Sequence, residues 1–173
     1  MTSDVQCSVR PSGAADISTI QAIARQSWDA TYRDLLPEAA RQEYLAKAYD
    51  TAWLTKLHAR PDLRGFLALE DGRPAGFAMM SLGAPDQDPP GAVLRSLYLA
   101  PATQGKGHGT RLLAAVKQAA RDAGNPLLWV AVHVDLAAAR AWYEKQGFVY
   151  DGPASAMIGQ ERIRQAVYKL PLR

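Results

Sequence analysis

Two periods organise the apolar positions of this 173-residue chain. Ile17, Ile20, Ala24 and Trp28 stand three or four residues apart, which predicts an amphipathic helix with Asp16 as its N-cap. Leu36-Pro37 breaks that pattern, and Pro37 suits the first turn of a second helix faced by Tyr44, Leu45 and Ala48. Asp50 or Thr51 caps a third, which runs to Arg60 before Pro61. The period then changes. Residues 6–10 form a short first strand, and residues 65–70 (GFLALE) and 75–82 form two more, joined at Asp71-Gly72, a hairpin turn signal. Residues 84–91 (APDQDPPG) are a proline-rich loop with neither period. Residues 93–99 are a strand, ended by Pro101, which has no N–H for a ladder. Leu112, Leu113, Val116, Ala119 and Ala120 mark the next helix, with Arg111, Lys117 and Arg121 outward and Gly124 closing it. Residues 127–134 (LLWVAVHV) are apolar almost throughout, as a strand covered on both faces should be. A helix over 136–146 stops at Gly147. A strand begins at 148–150, residues 162–170 form the last one, and Gly159 lies in the loop between them. Strands alternating with helices after a hairpin predict an α/β fold: one domain over 1–173, a mixed sheet with helices on both faces.

Composition narrows the picture. Hydrophobic residues make up 48% and charged ones 21%, an ordinary globular balance. No apolar run approaches the ~18 residues of a membrane span, and the first ten residues have no apolar signal core. A single Cys7 excludes an internal disulfide framework and suits a reducing cytoplasm. The net charge of +3 is unevenly spread, with ten Lys/Arg against five Asp/Glu after residue 103. That asymmetry fits a polyanionic ligand on the C-terminal half and a cationic one near the N-terminal half; it also fits solvated surface charge. No basic run interleaved with aromatics points to nucleic acid, and no His/Cys cluster points to a metal.

The stretch that carries chemistry is VLRSLYLAPATQGKGHGTRLL, residues 93–113. A glycine-rich turn between a strand and a helix N-terminus makes an anion cradle, because the glycines admit a phosphate close to unpaired N–H groups. The dinucleotide fingerprint fails here. Glycines fall at 105, 107 and 109, so Thr110 takes the third glycine's place, and no ribose-binding acid follows some 20 residues on. A P-loop fails because no Lys-Ser or Lys-Thr follows the turn. Gln104, Gly107 and Gly109 instead match Q/R-x-x-G-x-G/A, the acetyl-CoA pyrophosphate loop of the GNAT superfamily of N-acetyltransferases, which this region resembles. A second stretch, Ala141 to Phe148 (AWYEKQGF), resembles the aromatic-Tyr-Glu-Lys…Gly-Phe pattern that closes the C-terminal helix of that family.

The resemblance spans nearly the whole chain. It implies a mostly antiparallel sheet of about seven strands, with acetyl-CoA held between splayed central strands. It further implies acetyl transfer to an amine in a ternary complex, with a small-molecule amine as partner and a homodimer as a recurrent assembly. By the same likeness, the backbone N–H groups of Leu97, Tyr98 and Leu99 hold the pantetheine arm and polarise the thioester carbonyl. Gln104, Gly105, Lys106, Gly107, His108, Gly109 and Thr110 hold the pyrophosphate, with His108 facing solvent or phosphate. Tyr143 is the acid for the departing thiolate. The segment from Tyr32 to Tyr49, Trp129 and the Gly159-Gln160-Glu161 loop resemble the bacterial polyamine acetyltransferase branch. Where relatives have an asparagine seven residues before the tyrosine, this chain has Leu136; Asp135 either substitutes or caps the helix, and the cap is the preferred reading.

Relatives often place a glutamate on the central strand as base, but residues 91–99 contain no carboxylate. His133 is the titratable candidate, with plain packing at a strand end as its alternative, and Glu70 or Asp135 could act through water. Trp28 and Tyr32 are the candidate acceptor contacts, with Asp29 and Asp34 beside them to draw a cationic amine; core packing and solvation are their alternatives. Two other functions compete: a protein or peptide N-acetyltransferase, and a catalytically silent acyl-CoA-binding module.

Overall fold

A computed structural model describes residues 6–84 and 86–173. Seven strands form one sheet: β1 (Cys7–Pro11), β2 (Leu63–Glu70), β3 (Arg73–Ser81), β4 (Ala92–Leu99), β5 (Leu127–His133), β6 (Val149–Ile158) and β7 (Glu161–Pro171). They lie in the order β1-β2-β3-β4-β5-β7-β6, and among the described residues β4–β5 is the single parallel pair. The helices are α1 (Ile17–Thr31), α2 (Glu38–Ala48), α3 (Thr51–His58), α4 (His108–Asp122) and α5 (Ala137–Lys145). No helix among the described residues is long and apolar enough to cross a membrane.

Strand alternation sorts the core into two faces. Phe77 and Met79 of β3 point to one side, where Ile17, Ile20 and Ile23 of α1 and Leu54 and Leu57 of α3 cover them. Ala78 and Met80 point to the other, against Leu112, Leu113 and Val116 of α4. Burying such a side chain contributes about 1.5–3 kcal/mol, so the sheet is held rigid from both sides. The β2–β3 hairpin turns at Asp71 (φ 49°) and Gly72 (φ 78°), the two left-handed residues that match strand twist.

Four local expectations need correction. Asp16 stands at the N-cap position of α1, but its side chain makes no capping hydrogen bond to the helix. A turn over Ala14–Asp16 places it in helical conformation, and its carboxylate accepts from the Gly13 N–H at 3.0 Å and from Arg10 at 2.8 Å. Asp135 does not cap α5: Leu136 precedes the helix, and the Asp135 N–H donates to His133 Nδ1 at 3.1 Å. β5 is not covered on both faces, since Leu128, Val130 and Val132 are buried while Ala131 is exposed. Finally, strand β6 extends through Asp151, Gly152 and Pro153, a run whose composition argues against a strand. Pro153 is tolerated because β6 is an outer strand, paired with β7 alone. Asp50, by contrast, caps α3 by accepting the Trp53 N–H at 3.0 Å.

Candidate active site

The site begins where β4 and β5 part. They pair through Ala92↔Leu128, Val93↔Trp129 and Leu94↔Val130, and no further. β5 stays on β7 to His133, and β4 stays on β3 to Leu99, so the two strands open like a V. The opening starts at a bulge: Met80 faces Leu94 and Met79 faces Ser96, which leaves Arg95 as the extra residue. A bulge bends its strand and sharpens the twist. On the β3 side, the Ala100 N–H donates to the Ala75 carbonyl at 2.9 Å. Peptide direction alternates along a strand, so the N–H groups of Leu97 and Leu99 turn to the open edge, while that of Tyr98 serves the β3 ladder. Unpaired backbone groups at such an edge require a partner. The cleft they line has a volume of about 520 Å³.

The outer end of the cleft is the glycine loop. Thr103 Oγ1 lies 2.7 Å from the Ala75 carbonyl and 2.8 Å from that of Ala100, fixing the chain as it leaves β4. Gly105 (φ 76°) and Gly107 (φ 84°) are both left-handed, and a Cβ on either would meet nothing within 4 Å, so the backbone there faces open space. The first α4 hydrogen bond is Arg111 N–H to Gly107 carbonyl at 3.1 Å. The N–H groups of His108, Gly109 and Thr110 therefore have no helical acceptor, and the helix dipole reinforces them. This donor set fits a pyrophosphate, and the V fits the narrow amide-bearing arm of coenzyme A.

His108 corrects the expectation that it faces solvent or phosphate. It is fully buried, and its Nε2 lies 2.7 Å from Glu70 Oε2. Lys106 Nζ donates to the other oxygen of the same carboxylate at 2.8 Å. The hydrogen bond from Lys106, and then that from His108, hold the Glu70 carboxyl below the usual carboxylate range. Glu70 closes β2 beside the loop and does not line the cleft, so it anchors the loop's underside. Nothing in the sequence joins residues 70, 106 and 108.

The inner end holds Tyr143. Its ring is buried edge-on against Trp142 (5.0 Å between centroids) and Phe148 (5.3 Å). Burial raises the hydroxyl well above the ordinary tyrosine range, so it stays protonated. That hydroxyl bonds to no described residue and is not sealed within the protein. Tyr32 lines the cleft opposite and is pushed up to about 12, again by burial.

The structure thus brings Tyr143, Tyr32, Leu97, Tyr98, Leu99, Gln104, Gly105, Gly107, Gly109 and Thr110 around one cleft. Trp28, His133 and the side chains of Lys106 and His108 stand outside its lining. Trp28 is 3% exposed and stacked between Tyr32 and Tyr44, at 4.3 Å from each, so it supports Tyr32 from behind. His133 sits edge-on to Tyr32 at 6.2 Å. Its Nδ1 lone pair accepts the Asp135 N–H, which places the proton on Nε2. Sequence reasoning missed Ser27, Thr31 and Arg95, which also line the cleft. Arg95 had a signal, as the one charged residue in an otherwise uncharged strand.

Solved structures share the fold. The paiA N-acetyltransferase of Thermoplasma acidophilum, crystallised with coenzyme A, superposes with a TM-score of 0.82 at 22% identity, over 96% of this chain and 99% of that one. The ribosomal-protein-S18-alanine N-acetyltransferase of Escherichia coli gives 0.72 at 19% identity, over 96% and 94%. An acetyltransferase of Thermus thermophilus gives 0.69 at 24%, over 96% and 97%. At these identities the likeness establishes the fold. The sequence itself matches the family model described as "Acetyltransferase (GNAT) family" over residues 25–148. That match covers more than two thirds of the chain and includes the glycine loop and Tyr143, so the chain belongs to the acetyltransferase (GNAT) family and is an N-acetyltransferase that uses acetyl-CoA.

Proposed function

We propose that the protein transfers the acetyl group of acetyl-CoA to the primary amine of a small molecule, by direct attack within a ternary complex. The observation that carries this reading is the cleft at the β4–β5 opening, with unpaired N–H groups on one edge and the protonated Tyr143 hydroxyl beside it. Acetyl-CoA supplies a thioester carbon open to attack. The loop of Gly105 to Thr110 binds the pyrophosphate through backbone N–H groups, and Gln104 closes it. The Leu97 and Leu99 N–H groups hold the pantetheine amides and donate to the thioester oxygen as it gains charge. The amine nitrogen forms its bond to the acetyl carbon as the C–S bond breaks, and the Tyr143 O–H protonates the departing thiolate. The products are the acetamide and free coenzyme A thiol. Once bonded to carbon, the attacking nitrogen gives one of its two protons to water and keeps the other as the amide N–H, and water returns a proton to the Tyr143 oxygen, so the hydroxyl is restored. Tyr32 and Tyr143 are held neutral, and His133 accepts a proton only by giving up the Asp135 N–H bond.

The wall facing β4 supports a small acceptor. Ser27 and Thr31 of α1, with Tyr32 just after it, line the cleft opposite β4, and a wall built from this N-terminal helix favours a small acceptor over an extended peptide. The test is thiol release from acetyl-CoA against small amines, polyamines and amino-terminal peptides. Release with small amines supports the reading. Release confined to peptides replaces it with protein acetylation, and no release despite acetyl-CoA binding replaces it with a silent binding module.

A further inference from the structure

The charge around the acceptor end of the cleft is one-sided. Among the described residues that line it, Arg95 is the one charged side chain, and no carboxylate joins it. The two acids expected to draw a cationic amine are elsewhere. Asp29 is half exposed, lies 3.8 Å from Arg41 Nε, and lines a separate groove with residues of α2. Asp34 is exposed and lines neither cavity.

Arg95 is the bulged residue at the point where β4 leaves β5, so it stands at the inner end of the V, on the same cleft as Tyr143, Ser27 and Thr31. Its Nε donates to Ser81 Oγ at 3.1 Å, which fixes the base of the guanidinium. Its two terminal nitrogens make no hydrogen bond and no ion pair to any described residue. The Asp62 carboxyl, on which the Arg95 charge acts weakly, is already bonded to Arg60 at 3.0 Å. The cofactor's phosphates do not account for this cation. Leu99 lies four strand steps beyond Arg95, about 13 Å at the rise of a strand, and the glycine loop lies beyond that.

Arg95 is exposed at the cleft, anchored at Nε with its fork open, and shares the lining with the hydroxyl-bearing Ser27 and Thr31; such a guanidinium binds an anion with planar oxygens and repels a second ammonium on the acceptor. We infer that the acceptor is a primary amine that also carries an anionic group, a carboxylate in the simplest case, and that Arg95 pairs with that group while the amine reaches the thioester. This inference rests on the acetyl-transfer reading above. It makes Arg95 a specificity-determining residue and excludes polycationic amines as preferred substrates, against the expectation drawn from the polyamine branch.

The test uses three acceptor classes of matched length: alkyl monoamines, alkyl diamines, and amino acids with α- or ω-amines. kcat/KM is measured by thiol release for the unaltered protein and for Arg95→Lys, Arg95→Ala and Arg95→Glu. The unaltered protein is expected to favour an amino carboxylate over its matched diamine by about tenfold or more. Arg95→Glu is expected to lower that ratio by about 100-fold and to make the diamine the better substrate, with Arg95→Lys between the two. Coenzyme A affinity reports that each variant is folded. A diamine preferred by the unaltered protein, or a ratio that Arg95→Glu leaves within about twofold, overturns the inference and leaves acetyl transfer standing. Absence of turnover with every amine overturns the acetyl-transfer reading, and this inference with it. The ranking in the unaltered protein decides the matter even if a variant fails to fold.

Discussion

Tyr143→Phe removes one oxygen and separates chemistry from structure at the inner end of the cleft. The Tyr143 ring is 8% exposed and packed by Trp142 and Phe148, and phenylalanine keeps all of those contacts. The hydroxyl bonds to no described residue, so its loss leaves no buried group unpaired. Stability is therefore expected to change by no more than about 0.5 kcal/mol. Catalysis should respond very differently. The thiolate must leave without its proton donor, and a positioned general acid contributes roughly 10²–10⁴ in rate. At about 1.36 kcal/mol per tenfold, that is roughly 2.7–5.4 kcal/mol of lost transition-state stabilisation. Acetyl-CoA binding, set by the loop and the β4 edge, should be retained. The measurement is a single-turnover rate of thiol release, so that product departure does not mask the chemical step, with calorimetric acetyl-CoA binding and a denaturation curve on the same sample. A variant rate within about threefold of the parent would refute the acid role. A fall in stability matching the fall in rate would show that the hydroxyl is a packing group instead.

Three other perturbations probe separate links. His133→Asn keeps an acceptor for the Asp135 N–H and is expected to leave the pH profile of kcat/KM unchanged; loss of its acidic limb would make His133 the base. Glu70→Ala strips the fully buried His108 of its Nε2 partner and is expected to lower the denaturation midpoint more than Glu70→Gln, which preserves an acceptor; equal shifts would show that the His108 bond does not hold the loop. Burial holds Tyr32, Tyr49, Tyr98 and Tyr143 protonated above their unfolded values. Their contribution to stability is complete below about pH 10 and is lost as pH rises toward the folded values, so tyrosinate absorbance from these residues should appear together with unfolding. A gradual appearance near pH 10 with the circular dichroism unchanged would contradict that burial.

Local sequence determined whatever local sterics and periodicity decide. The α4 face of Leu112, Leu113 and Val116, the Asp71-Gly72 hairpin and the α3 cap each depend on residues within a turn or two of one another; the first two are where the pattern put them, and of the two caps it offered, Asp50 and Thr51, the chain uses Asp50. The glycine loop was legible for the same reason, since left-handed backbone at Gly105 and Gly107 followed by a free helix start is a property of seven consecutive residues. Tertiary structure decided the rest. Asp16 and Asp135 are reasonable caps by identity, but the turn at Ala14–Asp16 and the side chain of His133 offered them other partners. β6 survives Gly152 and Pro153 because its free edge needs no donor, and position in a sheet is not written in the strand itself. Glu70 reaches Lys106 and His108 across 36 and 38 residues, and Trp28 is core because Tyr32 and Tyr44 close on both its faces. The placement of charge was decided in the same way: Asp29 and Asp34 stand near Trp28 and Tyr32 in sequence, yet the charged residue that lines the cleft is Arg95. A side chain's direction follows from the bulge, the parting of two strands and the helix laid over them, and those long-range pairings exist only in the folded chain.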